Sequence, residues 1–480
     1  MEGWTTAEEV MDRANTRRGH YTPVTPPATT RLTRARPRRD IAPVPSTPLL
    51  YRTAIRLGTA LAPAAALVNR KIDEGHRLRG GAAARLTAWA AARRDRDLPL
   101  AWFHAASVGE GLQAESVLFE LRKLVPDCQI VYTHFSPSAE ALSRRLPVDA
   151  ADYLPYDLPE TADRLLTALV PDLLVFAKLD LWPELATRAA TRGTAVALVA
   201  ATVSPGSGRL RWPARALLRT GYAAVAAAGA VAEADAARLA RLGVPADHIR
   251  VLGDPRFDSA AARVAAVPPD DPLLAFGGGA PTLVAGSTWP PDEAVLLKAF
   301  ARIHAARSDA RLIVVPHEPT AGHLAELDRH AARAGLPAPV RLSRAEGPAP
   351  LLAVDRVGAL ATLYGAGTMA YVGGGFGRAG LHSVLEPAAW GVPTAFGPRW
   401  RNSHDAALLL EGGAAVALTA RSPRATTGQL VRYWEEWLAD EARRAAQGRR
   451  ARDIVSEGRG AARRSAEMLA GLISSRPPRT

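Results

Sequence analysis

Residues 371–398 read Tyr371-Val372-Gly373-Gly374-Gly375-Phe376-Gly377-Arg378-Ala379-Gly380-Leu381-His382-Ser383-Val384-Leu385-Glu386-Pro387-Ala388-Ala389-Trp390-Gly391-Val392-Pro393-Thr394-Ala395-Phe396-Gly397-Pro398. Ala370, Tyr371 and Val372 end a short apolar run with the character of a buried strand. Gly373, Gly374, Gly375, Gly377 and Gly380 then remove side chains where a backbone must turn sharply or touch a ligand. From Leu381 the spacing predicts a helix, with Leu381, Val384, Leu385 and Ala388 on one face. A strand, a glycine loop and a helix in this order aim N–H groups and a helix N-terminus at a phosphate. Glu386, a little over one turn into that helix, suits acceptance from ribose hydroxyls. The same pattern also describes a plain strand–turn–helix joint of an α/β domain.

The pattern repeats on both sides. Over 99–260, strand-like runs at Leu100–Ala105, Gln129–Thr133, Asp152–Pro155, Asp172–Ala177 and Ala195–Ala200 alternate with helical stretches, and Arg250–Leu252 follows an Ala-rich region. After a connection at 259–279, strands are expected near 282–286, 311–315, 350–354, 368–372 and 393–396. The last helices fall at about 424–440 and 442–473. Such alternation predicts an α/β protein with two doubly wound parallel sheets, ligands binding beyond the carboxyl ends of the strands. The expected organisation is a basic tail without order at 1–47, an amphipathic helical region at 48–96, domains at 97–262 and 263–423, and terminal helices at 424–480.

With 480 residues, 48% hydrophobic and 22% charged, the chain is long enough for two cores. A net charge of +13, nearly all of it from arginine, invites a polyanionic partner or reflects compositional bias. Dispersed basic residues, 6% aromatics and the lack of a binding motif argue against nucleic acid. The single Cys128 excludes an internal disulfide and a cysteine metal cluster. No apolar run reaches the roughly 18–20 residues of a spanning helix. Leu49, Leu50, Ala54, Leu57, Leu61, Ala65 and Leu67 form one face flanked by Arg52, Arg56, Arg70 and Lys71. That face fits either a monotopic membrane contact or docking on its own domain, with Pro63 kinking or ending the helix.

Glu110 lies in His104-Ala105-Ala106-Ser107-Val108-Gly109-Glu110, where a strand gives way to a helix at the cleft rim. A carboxylate there suits general-base work, and equally suits a first helical turn. Ser107 reads as an N-cap, since no Gly-x-Ser-x-Gly elbow surrounds it.

Taken with Phe135-Ser136-Pro137-Ser138, Tyr153-Leu154-Pro155-Tyr156-Asp157, Trp182-Pro183, Gly253-Asp254-Pro255-Arg256-Phe257-Asp258, Ser287-Thr288, Pro316-His317-Glu318, Asp355-Arg356-Val357-Gly358 and Gly397-Pro398, these motifs carry a resemblance. From about Leu49 to Val416 the chain resembles the 3-deoxy-D-manno-octulosonic acid (Kdo) transferases of lipopolysaccharide assembly, which have the two-domain GT-B glycosyltransferase fold. The resemblance implies CMP-Kdo as donor, a lipid A precursor as acceptor, inversion at the anomeric centre, no metal and no cofactor. It also implies peripheral attachment to the cytoplasmic face of the inner membrane. Glu110 would be the base, Gly373, Gly374 and Gly375 would hold the phosphate through N–H groups, and Glu386 would hold the CMP ribose. Ser287 and Thr288, at the start of a helix, would touch phosphate or carboxylate, or serve as an N-cap. Pro316, His317, His382 and Ser383 complete the donor site, and Lys178 and Arg256 are candidate anion contacts. Three departures stand out. Lys178-Leu179-Asp180-Leu181-Trp182-Pro183-Glu184 replaces a common Glu-x-Glu-Leu-Trp-Pro-Asn, Pro316-His317-Glu318-Pro319 replaces Pro-Arg-His-Pro, and Ser383 stands where Asn often follows His. They leave open a GT-B transferase for another activated ulosonic acid or sugar.

Overall fold

The computed structural model describes residues 46–67, 70–377, 380–401, 403–420 and 422–475. Its strands are β1 (Leu100–His104), β2 (Gln129–His134), β3 (Ala150–Tyr153), β4 (Leu173–Ala177), β5 (Ala195–Ala201), β6 (Ala227–Ala230), β7 (Ile249–Val251), β8 (Thr282–Thr288), β9 (Arg311–Pro316), β10 (Val340–Arg341), β11 (Leu351–Ala353), β12 (Met369–Val372), β13 (Thr394–Phe396) and β14 (Ala415–Ala417). They form two 7-stranded sheets, ordered β3-β2-β1-β4-β5-β6-β7 and β10-β11-β9-β8-β12-β13-β14. Neighbouring strands pair in parallel throughout. Strands covered on both faces need apolar residues at every position, and β1, β4 and β12 are buried along their whole length. The winding direction reverses between β1 and β4, and again between β8 and β12, which creates a crevice at the carboxyl end of each pair.

The chain crosses between the sheets on the helix Pro255–Ala265, which occupies the start of the stretch expected to be a connection. Asp254 caps it by accepting the N–H of Arg256, and Pro255 supplies a pre-set first turn. The long terminal helix expected over 442–473 is two helices, Glu441–Glu457 and Ala461–Ser474, because Gly460 takes a left-handed φ of 92°. The second returns to the first sheet. There Ala462, Ala466, Met468 and Leu469 share a core with Ala114, Val117, Leu118 and Leu121 of the helix Val108–Leu124. Asp258 fixes this return by accepting the N–H groups of Gly460 and Ala462.

The tail expected over 1–47 lies outside the described residues, apart from 46 and 47. The helix Leu49–Ala66 ends within a turn of Pro63. One edge docks through polar groups: Tyr51 donates to Asp157 at 2.8 Å, and Arg52 forks onto the buried Glu184 at 2.8 and 3.1 Å. Arg52 is thus an ion-pair partner rather than a free flanking charge. The other side exposes Leu49, Leu50, Leu57 and Leu61, with Leu67 just beyond. No described helix is long and apolar enough to cross a membrane.

Asp157 also accepts the N–H groups of Glu184 and Leu185, both at 2.9 Å, at the start of the helix Pro183–Thr191. Burial pushes its carboxyl up to about 6, against the pull of these bonds. A raised folded value favours the protonated fold. The contribution is full below the unfolded value of about 4 and is lost as pH rises through about 6. The melting temperature relative to Asp157→Asn should therefore rise as pH falls from about 7 to about 5. A flat difference would show that this carboxyl does not titrate there.

Candidate active site

The first crevice is built on the carboxyl ends of β1 and β4. Ser107 caps the helix Val108–Leu124, and Glu110 Oε2 accepts both the Ser107 N–H at 3.1 Å and its hydroxyl at 3.0 Å. Glu110 therefore closes a capping box while half-buried at the end of β1. The same loop is bonded to the end of β2, since the N–H groups of Phe135 and Ser136 donate to Ala106 O at 3.2 and 2.7 Å. Across the crevice Lys178 follows β4 with a left-handed φ of 60° and an exposed side chain. A non-glycine residue in this region costs of order 1 kcal/mol and is found where tertiary structure forces it. Asp180 lies 3.1 Å from His104 Nε2, accepts from Trp182 Nε1 at 3.2 Å and sits 3.7 Å from Arg209. Burial raises its carboxyl, but these partners together hold it below its ordinary value.

The second crevice gathers Ser287, Thr288, Pro316, His317, Gly373, Gly374, Gly375 and His382 at the ends of β8, β9 and β12. Ser287 and Thr288 do not start a helix. They end β8 at a register shift against β9, Ser287 has φ 52°, and the N-cap is Trp289 of the helix Pro290–Ala306. Thr288 is buried and donates to Glu293 at 2.9 Å, while Pro316 is buried and ends β9. Gly373 and Gly374 also depart from expectation. Their N–H groups serve the protein itself, Gly373 donating to Gly286 O at 2.9 Å and Gly374 to Asp292 Oδ2 at 3.0 Å. Glycine is required because a Cβ on Gly373 would lie 2.4 Å from Ser287 O. A Cβ on Gly375 would likewise lie 2.6 Å from the Gly397 backbone. The loop is a close backbone packing of β12 on β8 and on the turn after β13.

His382 accepts from Trp289 Nε1–H at 3.1 Å and stacks on His317 at 4.2 Å. Indole nitrogen can only donate, so the neutral imidazole carries its proton on Nδ1. Burial, then the neighbouring His317, push His382 down to about 4, and the ring is neutral at pH 7. The helix expected from Leu381 begins at Leu385 and ends at Trp390. Ser383 is exposed and accepts the Leu385 N–H at 3.4 Å, so Glu386 lies in the first turn. Glu386 is paired with Arg263 of the crossing helix at 2.5 Å. Arg256 of that helix is held by Asp254 at 2.6 Å and by Asp405 at 3.4 Å. Its charge is matched before any ligand arrives, and it joins the crossing helix to the second domain.

Asp292, Trp289 and Arg263 were not anticipated. For Asp292 a signal existed: Pro290 and Pro291 announce a helix start, and an acid three residues after Trp289 fits a capping box with an unusual cap. Among the described residues no group of three or more His, Cys, Asp or Glu is placed to hold a metal ion.

Comparison with known proteins agrees with this architecture. The family model described as 3-Deoxy-D-manno-octulosonic-acid transferase (kdotransferase) matches residues 80–259. A 3-deoxy-D-manno-octulosonic acid transferase of Bordetella pertussis is 30% identical over 391 residues, covering 77% of this chain and 86% of the relative. One from Haemophilus influenzae is 25% identical over 381 residues, covering 77% and 86%. A glycosyltransferase structure from Rickettsia africae superposes with TM-score 0.54 at 10% identity, covering 78% of this chain and 99% of that one. UDP-GlcNAc 2-epimerase from Neisseria meningitidis, bound to UDP-GlcNAc, superposes with TM-score 0.53 at 11% identity, covering 75% and 98%. The fold is GT-B, and the chain belongs to the 3-deoxy-D-manno-octulosonic acid transferase family of glycosyltransferases.

Proposed function

We propose that the protein transfers Kdo from CMP-Kdo to a hydroxyl of a lipid A precursor, with inversion and without a metal ion, in lipopolysaccharide assembly. The observation that carries this is Glu110, placed by its capping box at the carboxyl end of β1, at the topological switch point. In the reaction Glu110 takes the proton of the attacking hydroxyl while that oxygen bonds to the anomeric carbon. The bond from that carbon to the CMP phosphate breaks through an oxocarbenium-like transition state, and CMP leaves as the anion. His382 donates from Nδ1–H to the departing phosphate with Ser287 beside it, and Glu386 receives the ribose hydroxyls. Pro316 and His317 line the nucleotide, and exposed Lys178 takes an anionic group of donor or acceptor. NMR of the product tests the stereochemistry: the new linkage should have the anomeric configuration opposite to the donor, and retention would contradict a single displacement.

The exposed leucines of the helix Leu49–Ala66 support contact with a membrane surface, and the proposed reaction assigns that surface to the cytoplasmic face of the inner membrane. Burying a leucine side chain is worth roughly 1.5–3 kcal/mol. Leu57→Glu with Leu61→Glu should lower partitioning onto anionic vesicles by about tenfold or more while sparing transfer to acceptor in detergent. Unchanged vesicle binding would place the membrane contact elsewhere.

A further inference from the structure

Arg79 ends the helix Arg70–Arg79, which belongs to the helical region before the first sheet. Its guanidinium carbon lies 3.4 Å from the centroid of the Phe135 ring, and Nη2 donates to Phe135 O at 2.7 Å. The ring is backed by Trp182 at 5.1 Å. Stacking and a backbone hydrogen bond thus seize the same residue from two directions, which a planar fork can do and an ammonium cannot. Phe135 and Ser136 in turn donate their N–H groups to Ala106 O. Ala106 precedes Ser107, whose N–H and hydroxyl both hold the Glu110 carboxylate. The contacts run without a gap from the helical region to the carboxylate. A second arginine holds the same region to the same sheet, because Arg85 forks onto Asp152 at 2.7 and 2.6 Å. That pair is at the surface, on the far edge strand β3. Arg85 also donates to Gly80 O at 2.9 Å and to Leu78 O at 3.1 Å, so it holds the backbone on either side of Arg79 without replacing the Arg79 clamp.

We propose that Arg79 is a positioning residue for the transfer reaction: it clamps the Phe135–Ser136 loop, and through Ala106 and Ser107 it sets the Glu110 carboxylate. The inference rests on Glu110 being the base. Burial strips water from the Arg79 guanidinium and lowers it from its ordinary value, against the pull of Tyr156, yet it stays charged at any working pH. The clamp also places the helical region that carries the exposed leucines in mechanical contact with the reacting group.

The test compares Arg79→Lys, Arg79→Gln and Arg85→Gln in the full-length protein with CMP-Kdo and detergent-solubilised lipid A precursor. Misplacement of a catalytic group by about 1 Å costs up to about 10²-fold in rate. Arg79→Lys should therefore lose about tenfold in kcat and Arg79→Gln more, with the donor KM within about twofold. Arg85→Gln, which loosens the backbone beside Arg79 but leaves its contacts with Phe135 in place, should lose clearly less kcat than either Arg79 variant. A purely structural role would lower the melting temperature of the Arg79 and Arg85 variants together and leave kcat per folded molecule unchanged, and that result overturns the proposal. So does an equal loss of kcat in all three variants. Glu110→Gln is assayed alongside. If it retains turnover, the base assignment falls and this inference with it. If it is inactive while the Arg79 variants keep full kcat, only the positioning role is refuted.

Discussion

Glu110→Gln is expected to lose transfer by about 10²-fold or more in kcat, while CMP-donor affinity and fold are retained. The amide keeps the size of the carboxylate and one oxygen able to accept the Ser107 N–H, so the capping box survives in part. What it cannot do is accept a proton from the attacking hydroxyl. Cap and base are separable by experiment for this reason. Loss of the cap alone costs about 1 kcal/mol of stability and no chemistry. If Glu110→Gln melts about as the parent does and turns over normally, the carboxylate is only a cap, and the base must be sought elsewhere in the crevice, first at Asp180.

Asp292→Ala should cost roughly 3–5 kcal/mol of stability in chemical denaturation and abolish donor binding at working temperature. Asp292 is 1% exposed and holds three donors: the hydroxyl of Tyr371 at 2.8 Å, and the N–H groups of Gly374 and Trp289 at 3.0 Å. Truncation leaves the Tyr371 hydroxyl and the Gly374 N–H buried and unpaired, where each orphaned group costs about 1–3 kcal/mol. It also frees the glycine loop from the helix Pro290–Ala306 and the Trp289 backbone from its cap, so His382 loses the geometry that fixes its tautomer. Burial raises the Asp292 carboxyl, an effect its three bonds oppose. Only hydrogen bonds oppose burial at this carboxyl, and Asp292→Asn, which keeps one acceptor oxygen, should fall between the parent protein and Asp292→Ala. A loss below about 1 kcal/mol in Asp292→Ala would mean that water or a rearranged loop replaces the carboxylate.

The central strands were legible because parallel strands covered on both faces must be apolar without interruption, as Leu173–Ala177 is. β6 was not, since Ala-Ala-Gly-Ala has no β-branched residue and becomes a strand only because β5 and β7 leave a place for it. The helix after the glycine loop was expected too early for a related reason. Val384 is fully buried, but its burial comes from a loop folded onto the core, and periodicity cannot separate that from a helical face. The site divides in the same way. The position of Glu110 could be read because a strand–helix junction is a local feature of the sequence. The use of Gly374, Glu386 and Phe135 could not. Their partners Asp292, Arg263 and Arg79 lie 82, 123 and 56 residues away in sequence, and only the fold brings them together.

The decisive measurement is transfer itself: purified protein, CMP-Kdo, a lipid A precursor in detergent and EDTA, with the products read by mass spectrometry. A mass increase of one or more Kdo units, matched by release of CMP, is the predicted result. No mass increase on the acceptor, with CMP-Kdo shown intact and the protein folded, would contradict the proposed function.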